Sequence, residues 1–286
     1  MHGLMVLLAM AIALMLRGSL VWRRTPLTWT TALWCFVCPP LLLLMTALAI
    51  VWMGYQGEML GWAASLGSYL LAWAFLGWAV WGLGQRWQEI GSLDQQIQAL
   101  QPTELQGQTI HLLETAFPYS AQVGFWRSRL IVSQGLIDRL NPEQLQAVLA
   151  HEAAHHHYRD GLCFFCLGWL RQMTAWLPHS ERLWQELLLL REMRADQKAT
   201  EKADALALAE ALLLVTQASQ QQPFHPVLET GAVPFYQHQQ RFQVRIENLL
   251  QPVSTTPAFP NSYQPWLLLG IILILAPLAF IPFHFS

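Results

Sequence analysis

The chain has 286 residues, of which 54% are hydrophobic and only 12% are charged. Soluble domains carry about 25% charged residues, so this composition excludes a single soluble globule and indicates that much of the chain lies in lipid. The formal net charge of -2 and the lack of a basic cluster in the sequence argue against direct nucleic-acid binding.

Four segments are predicted to span a bilayer: residues 4–22, 27–53, 59–83 and 265–285. The first is the least apolar because Arg17 interrupts it, and Pro39 with Pro40 is expected to kink the second. The first segment also lacks a positively charged leader, so it is interpreted as an anchor in preference to a signal peptide.

Basic residues predict the orientation of these segments. Three arginines lie between the first two segments and one follows the third, whereas the connection at 54–58 has no basic residue. Both basic sides are therefore expected in the cytoplasm, which places the two chain ends outside and residues 85–264 inside. The arginines concerned are Arg17, Arg23, Arg24 and Arg86.

Two short apolar runs at 119–124 and 130–133 flank Phe125-Trp126-Arg127-Ser128. This pattern predicts a small β-hairpin. An extended peptide could add to such an edge as one more strand, and on this interpretation a proline at Ile131 would interfere with peptide docking.

A capped helix is predicted to follow the hairpin. Asn141 is the expected N-cap, Pro142 the first helical residue and Gln144 the partner in a capping box, and Gly161 is the expected stop after about five turns. The sequence His151-Glu152-Ala153-Ala154-His155 on this helix is an HExxH motif.

The HExxH spacing indicates a zinc site. Residues four apart share one helix face, so His151 and His155 can bind one tetrahedral ion while Glu152 lies beside it as a general base. The alternative is a surface helix that merely carries histidines. The reaction expected from the motif is hydrolysis of an amide by water, without a nucleophilic serine.

A catalytic zinc needs a third protein ligand. Glu192 is the candidate, on a second helix expected to begin at Ser180, and Asp196 would accept the outer N–H of a ligating histidine. The alternative for this carboxylate pair is a solvated charged face shared with Arg191 and Arg194.

Residues 124–199 resemble the BlaR/MecR family of membrane-embedded antirepressor zinc peptidases, which are gluzincins. They are more distantly similar to the HtpX and CAAX-type prenyl-protease family. The resemblance implies that His151, His155 and Glu192 bind zinc, that Glu152 is the base, and that Asp160 and Asp196 support the site. The residues that carry it are Gly124, Arg129-Leu130-Ile131-Val132, Gly135-Leu136, residues 145–155, Asp160 and residues 192–196.

The resemblance and the spans together predict a mainly α membrane protein, with about four transmembrane helices and an inserted gluzincin-type α+β zinc peptidase domain. The expected domains are a membrane region at 1–84, a cytoplasm-facing peptidase at 85–262 and a final transmembrane helix at 263–286. One Zn²⁺ is expected per chain. The family's C-terminal sensor has no counterpart here, so β-lactam sensing is not expected.

The expected function is that of a multi-pass metalloendopeptidase of a bacterial-type inner membrane. Its partners would be lipid and a cytoplasmic or juxtamembrane protein substrate, with a transcriptional repressor as one candidate. Two alternatives remain open: an HtpX-like quality-control protease, and a non-catalytic membrane scaffold that retains a zinc site.

Several other features have less specific interpretations. The C-x-x-C pairs, Cys35 with Cys38 and Cys163 with Cys166, are interpreted as packed thiols without a disulfide. The apolar stretch at 162–177 is either a core helix or one lying in the membrane interface, and residues 200–216 and 237–250 are predicted helices. His156, His157 and His179 are weak candidates to stabilise an oxyanion, and His225 and His238 are expected to be solvent-facing or locally bonded.

Overall fold

The computed structural model describes residues 2–19, 27–55, 58–59, 62–63, 66–124, 128–221, 239–250 and 265–284. These residues form two compact units. The first unit comprises Met1–Gln85, Leu167–Leu188 and Pro257–Ser286, and the second comprises Arg86–Cys166 and Leu189–Thr256. The described part of the chain is mostly helical and has one small mixed sheet, as the sequence predicted.

The apolar N-terminal region forms α1 (His2–Gly18), α2 (Trp29–Met53) and the start of α3 (Leu66–Gln98). A two-residue hairpin, β1 (Glu58–Met59) with β2 (Trp62–Ala63), precedes α3. The C-terminal region forms α10 (Pro265–Leu275) and a 3₁₀ helix (Ala276–His284). Met5 of α1, Ile50 and Met53 of α2 and Ala72 of α3 belong to one apolar core.

Two of the described helices, α2 and α3, are long and apolar enough to cross a membrane. The predicted third span at 59–83 was misplaced, because the hairpin delays the helix to Leu66 and the helix then continues to Gln98. The first and fourth predicted spans correspond to α1 and α10, which have 17 and 11 α-helical residues and are shorter than a regular span.

The proline pair lies inside α2 without ending it. Pro40 has no N–H to give the carbonyl of Phe36 four residues earlier. The Arg17 guanidinium of α1 donates to that carbonyl oxygen instead, from Nη2 at 3.1 Å, and its Cζ lies 5.0 Å from the centroid of the Phe36 ring. Arg17 is fully buried and acts as an internal hydrogen-bond donor.

The second unit contains a four-stranded sheet of order β3-β4-β6-β5. Strands β4 and β6 run parallel, and the other two pairs are antiparallel. The predicted hairpin is present as β5 with β6, and β5 is an edge strand. The strands are β3 (Pro102–Leu105), β4 (Gln108–Leu113), β5 (Ser120–Val123) and β6 (Arg129–Ser133).

Ile131 lies on β6, between β4 and β5, and is completely buried. A proline there would disrupt the middle of the sheet. A proline at Ile131 would therefore not report on peptide docking alone. Among the described residues, β3 and β5 are the edge strands of this sheet. Residues 125–127 of the hairpin turn lie outside the described part of the chain.

Six helices follow the sheet and precede α10 along the described part of the chain. They are α4 (Gln134–Arg139), α5 (Pro142–His157), α6 (Asp160–Thr174), α7 (Ser180–Ala199), α8 (Ala205–Gln221) and α9 (Gln239–Leu250). Of these, α4 contacts β6, α5 contacts β5 and α8, and α8 contacts α9. The helix expected at 200–216 thus begins five residues later and ends five residues later. The helix expected at 237–250 is described from Gln239.

Candidate metal centre

Helix α5 carries the HExxH motif and begins as its sequence predicts. The Asn141 side chain accepts a hydrogen bond from the Gln144 N–H at 2.8 Å, and the Asn141 N–H donates to the Gln144 side chain at 3.1 Å. This reciprocal capping box fixes the start of the helix. The helix ends at His157, however, and Gly161 belongs to α6, so the predicted stop was four residues late.

The apolar face of α5 fixes its rotation. Leu145, Val148 and Leu149 share a core with residues of the sheet, including Ile110 and Val132. His151 is completely buried and Glu152 is 3% exposed. The motif therefore lies inside the unit, and the alternative of a surface helix that merely carries histidines was wrong.

His151, His155 and Glu192 come together in a group that could hold a metal ion. The Nε2 atoms of the two histidines are 3.1 Å apart, and Glu192 oxygens lie 3.5 Å from Nε2 of His151 and 3.8 Å from Nε2 of His155. Ligands of a tetrahedral zinc at about 2.05 Å are separated by about 3.3 Å. The donor set and its spacing therefore fit zinc, and α7 supplies the third side chain.

Two further carboxylates hold the outer nitrogens of the histidines. Nδ1 of His151 lies 2.9 Å from Asp196, and Nδ1 of His155 lies 2.7 Å from Asp160. A histidine that binds metal through Nε2 keeps its proton on Nδ1 and can donate it to such a carboxylate. The structure thus places Asp160 and Asp196 behind the two rings, where both histidines present Nε2 to Glu192.

Three arginines neutralise these acidic groups. Arg191 donates to Glu192 from Nε at 2.9 Å, and Arg194 donates to Asp160 at 2.5 Å. Arg245 of α9 makes two hydrogen bonds of 2.7 Å to Asp196 and lies 3.2 Å from Glu192. The carboxylate pair of α7 is buried, so the alternative of a solvated charged face was wrong.

Arg245 was not recognised as part of the site from sequence. It lies 49 residues from Asp196, and no motif links the two. A signal was present nonetheless, because Phe242, Ile246 and Leu249 form the apolar face of α9 and pack in one cluster. Arg245 lies three residues after Phe242 and four before Leu249, which puts its charge on that buried face.

The charged groups around the site shift the pKa values of its side chains in the metal-free chain. Burial alone would lower the pKa of His151, but Asp196 and Glu192 outweigh burial and raise that pKa to about 9. Burial would raise the pKa of Glu192 and of Asp196, but Arg191 and Arg245 hold the pKa of Glu192 well below its usual range, and Arg245 with His151 lowers that of Asp196. The two carboxylates therefore remain ionised.

A residue of the sheet contacts the Glu152 side chain. The Ser120 hydroxyl of β5 donates to Glu152 Oε1 at 2.8 Å, and both side chains are buried. Burial and, less strongly, the Glu152 charge raise the pKa of the neighbouring Tyr119 phenol above its ordinary value. Ser120 was missed from sequence except as part of a predicted strand.

Among the described residues, the group that could hold a metal ion contains no histidine besides His151 and His155. His156 and His157 are exposed at the end of α5, and His179 lies in the first unit with a φ of 58°. His225 and His238 lie outside the described residues. The four cysteines, Cys35, Cys38, Cys163 and Cys166, are not joined by a disulfide among the described residues.

A buried HExxH helix with a carboxylate from a second helix is an arrangement typical of zinc metallopeptidases. Residues 102–224 match the family model of Peptidase family M48. The family resemblance seen in the sequence is thereby confirmed, although the match does not separate the BlaR/MecR type from the HtpX type. No curated protein matches the chain.

Proposed function

We propose that the chain is a membrane-integral zinc endopeptidase in which His151, His155 and Glu192 hold the metal and Glu152 is the general base. The match of residues 102–224 to Peptidase family M48 supports a zinc metalloprotease. The observation that carries the residue assignment is the convergence of three ligand atoms next to the buried Glu152, with a carboxylate behind each histidine.

The reaction is hydrolysis of a peptide bond by water. Zinc, when bound, supplies Lewis-acid chemistry that polarises the peptide carbonyl and makes water more acidic. Glu152 takes the proton of the attacking water and later delivers it to the leaving amine. Asp196 and Asp160 keep the two imidazoles in the tautomer that offers Nε2, and the arginines keep those carboxylates ionised.

The proposed docking site for an extended peptide is the outer edge of β5, which pairs with no further strand among the described residues. The Tyr119 carbonyl accepts a hydrogen bond from the Ser133 N–H at 2.9 Å, so this pair lies on the β6 side of the ladder. Bonding alternates along an antiparallel pair, which turns the backbone groups of Ser120 and Gln122 to the outer edge. A peptide paired there would run past Glu152, since Ser120 touches that carboxylate.

A membrane location is supported by α2 and α3, which are long and apolar enough to span. On α3, Leu70, Trp73, Val80 and Trp81 are each more than half exposed. Exposed apolar side chains in such number are typical of a surface covered by lipid. We propose a multi-pass protein of a bacterial-type inner membrane, with the domains at 1–84, 85–262 and 263–286 and with α1 and α10 as shorter membrane segments.

We further propose that the catalytic domain faces the cytoplasm. The support is the set of basic residues Arg23, Arg24 and Arg86, of which the first two lie outside the described residues. The substrate would then be a cytoplasmic or juxtamembrane protein. A regulatory protein such as a repressor is the proposed substrate, and capture of many unrelated misfolded proteins by an inactive variant would instead favour a quality-control protease.

Glu152→Gln tests the role of the base. The amide keeps the size of the side chain but cannot take the proton, so peptide cleavage should be abolished while zinc content stays near one ion per chain. Glu143→Gln, on the exposed first turn of the same helix, is the matched control and should leave both unchanged. Full cleavage by Glu152→Gln would overturn the assignment.

Glu192→Ala tests the third ligand. Loss of one of three protein ligands should lower zinc occupancy of the purified chain severely, as measured by metal analysis after dialysis. Glu181→Ala, on the exposed first turn of α7, is the control that should retain zinc. Full occupancy in Glu192→Ala would place the third ligand elsewhere and would support a different centre.

A further inference from the structure

We propose that Ser120 is a positioning residue that fixes the general base Glu152 relative to a peptide docked on β5. This inference rests on the proposed function and deepens it. It assigns a role in the reaction to a side chain of the edge strand, in addition to the motif residues of the two helices.

The geometry of the contact defines which group donates. An ionised carboxylate only accepts hydrogen bonds, so the Ser120 hydroxyl donates to Glu152 Oε1 across 2.8 Å. Ser120 is 9% exposed and Glu152 is 3% exposed, so water competes little for this bond. The bond occupies one carboxylate oxygen and leaves the other to take the proton.

Ser120 also belongs to the docking edge through its backbone. The Tyr119–Ser133 pair is bonded on the β6 side, both through the Tyr119 carbonyl and through the Tyr119 N–H, which donates to the Ser133 hydroxyl at 2.8 Å. Ser120, the next residue, therefore turns its backbone groups outward. The same residue thus offers its backbone to the peptide and its hydroxyl to the base.

This double role sets the distance between a docked peptide bond and the carboxylate. A general base acts only when it lies within about 2.6–3.2 Å of the proton that it takes, and a misplacement of about 1 Å costs up to a hundredfold in rate. Without the hydroxyl, rotation of the Glu152 side chain is restrained less, although the peptide still docks on the same backbone. The loss should therefore appear in kcat and not in KM.

Ser120→Thr and Ser120→Val form the matched pair for the test. They have nearly the same shape, both suit a β-strand, and only the threonine keeps a hydroxyl. The larger side chain also prevents a water molecule from replacing the serine hydroxyl, which Ser120→Ala would permit. Ser128→Val is the control within the same hairpin, since the Ser128 hydroxyl contacts Gln122 and not Glu152.

The experiment uses the full chain in lipid nanodiscs and a peptide that the wild type cleaves. We expect Ser120→Val to lose about tenfold in kcat, because the position of Glu152 is restrained less, with KM and zinc content unchanged. Ser120→Thr should recover most of kcat, and Ser128→Val should resemble wild type.

Three outcomes would overturn the inference: full kcat in Ser120→Val, an equal loss in the valine and threonine variants, or loss of zinc together with kcat. Glu152→Gln, run in parallel, separates this failure from failure of the proposed function. An inactive Glu152→Gln with a fully active Ser120→Val would remove only the role of Ser120, whereas an active Glu152→Gln would remove the base itself.

Discussion

Arg245 and Asp196 form a forked pair of hydrogen bonds, from Nε to Oδ2 and from Nη2 to Oδ1, each 2.7 Å long. Asp196 in turn lies 2.9 Å from Nδ1 of His151. Arg245 of α9 therefore supports His151, a proposed metal ligand, through Asp196. It also lies outside residues 102–224, the segment that matches Peptidase family M48, so the site draws on a helix beyond that segment.

Loss of this arginine should weaken metal binding. Arg245→Met leaves two buried carboxylates without their shared cation, and removal of one partner from a buried ion pair costs about 3–5 kcal/mol. We expect a lower unfolding temperature and a zinc affinity reduced by about 10–100-fold, as for lost support behind metal ligands. Metal titration with a competing chelator measures the second effect.

Arg245→Lys separates charge from geometry. Lysine keeps the positive charge but cannot form the fork, so stability should recover more than zinc affinity does. Arg241→Met, on the same helix and only partly buried, is the control. Wild-type zinc affinity in Arg245→Met would show that α9 does not support the metal centre.

Zinc binding should release a proton and should strengthen as pH rises. In the metal-free chain the pKa of His151 is raised from 6.5 to about 9, since Asp196 and Glu192 outweigh the effect of burial. The charged His151 therefore stabilises the metal-free fold fully below pH 6.5, and this stabilisation is lost as pH rises through about 9. Zinc must displace that proton at neutral pH.

Calorimetric titration with zinc in two buffers of different ionisation enthalpy, at pH 7, should reveal the released proton. The apparent affinity should rise between pH 6.5 and 9 and level off above. Asp196→Asn removes one partner of the His151 proton, so the rise should end at lower pH in that variant. An affinity independent of pH over this interval, after correction for zinc hydrolysis, would contradict the raised pKa.

The parts of the site that could be predicted are those with local signals. His151, Glu152 and His155 are joined by helical spacing, and Asn141 with Gln144 marks the start of their helix within a few residues. Glu192 and Asp196 could be proposed as a pair for the same reason. Each of these inferences needs only the periodicity of one helix.

Contacts between distant segments could not be predicted. Ser120 meets Glu152 across 32 residues, and Arg245 meets Asp196 across 49. Single serines and arginines have no spacing that marks them, and only the packed fold brings them to the site. The short hairpin before α3 was also missed, because Trp62 and Ala63 are as apolar as the helix that follows.

Gly161 should be intolerant of even one added carbon. A Cβ at this position would lie 2.6 Å from the backbone carbonyl oxygen of Gly124. Gly124 directly follows β5, and its φ is 121°. Asp160, the preceding residue, holds His155. Gly161→Ala should therefore destabilise the chain by about 1–3 kcal/mol and lower zinc occupancy, as followed by thermal unfolding and metal analysis.

Gly91→Ala provides the comparison for that variant. Gly91 also lies in a helix, but no atom comes within 4 Å of a Cβ placed there. Alanine favours helix over glycine by about 1 kcal/mol, so this variant should be as stable as wild type or more so. Equal behaviour of the two alanine variants would show that the approach of Gly161 to Gly124 imposes no constraint.

Arg17 and Pro40 should be energetically coupled through the Phe36 carbonyl. Arg17 donates to that oxygen at 3.1 Å because Pro40 has no N–H to give it. In Pro40→Ala the N–H of residue 40 can donate to the Phe36 carbonyl, so the hydrogen bond from Arg17 should contribute less to stability. Arg17→Met should therefore destabilise the wild-type chain by about 1 kcal/mol more than it destabilises the Pro40→Ala chain.

A double-mutant cycle in detergent, with unfolding followed by circular dichroism, measures this coupling. The cycle compares the effect of Arg17→Met on unfolding free energy in the wild-type chain and in the Pro40→Ala chain. The cost of burying the guanidinium is common to both chains, so it cancels in this comparison. Pro39→Ala is the companion background, since it would restore a donor to Cys35 and not to Phe36. Two outcomes would contradict this coupling: no coupling between Arg17 and Pro40, or an equal coupling between Arg17 and Pro39. Either would mean that Arg17 stabilises α2 only through the Phe36 ring, whose centroid lies 5.0 Å from the Arg17 Cζ atom.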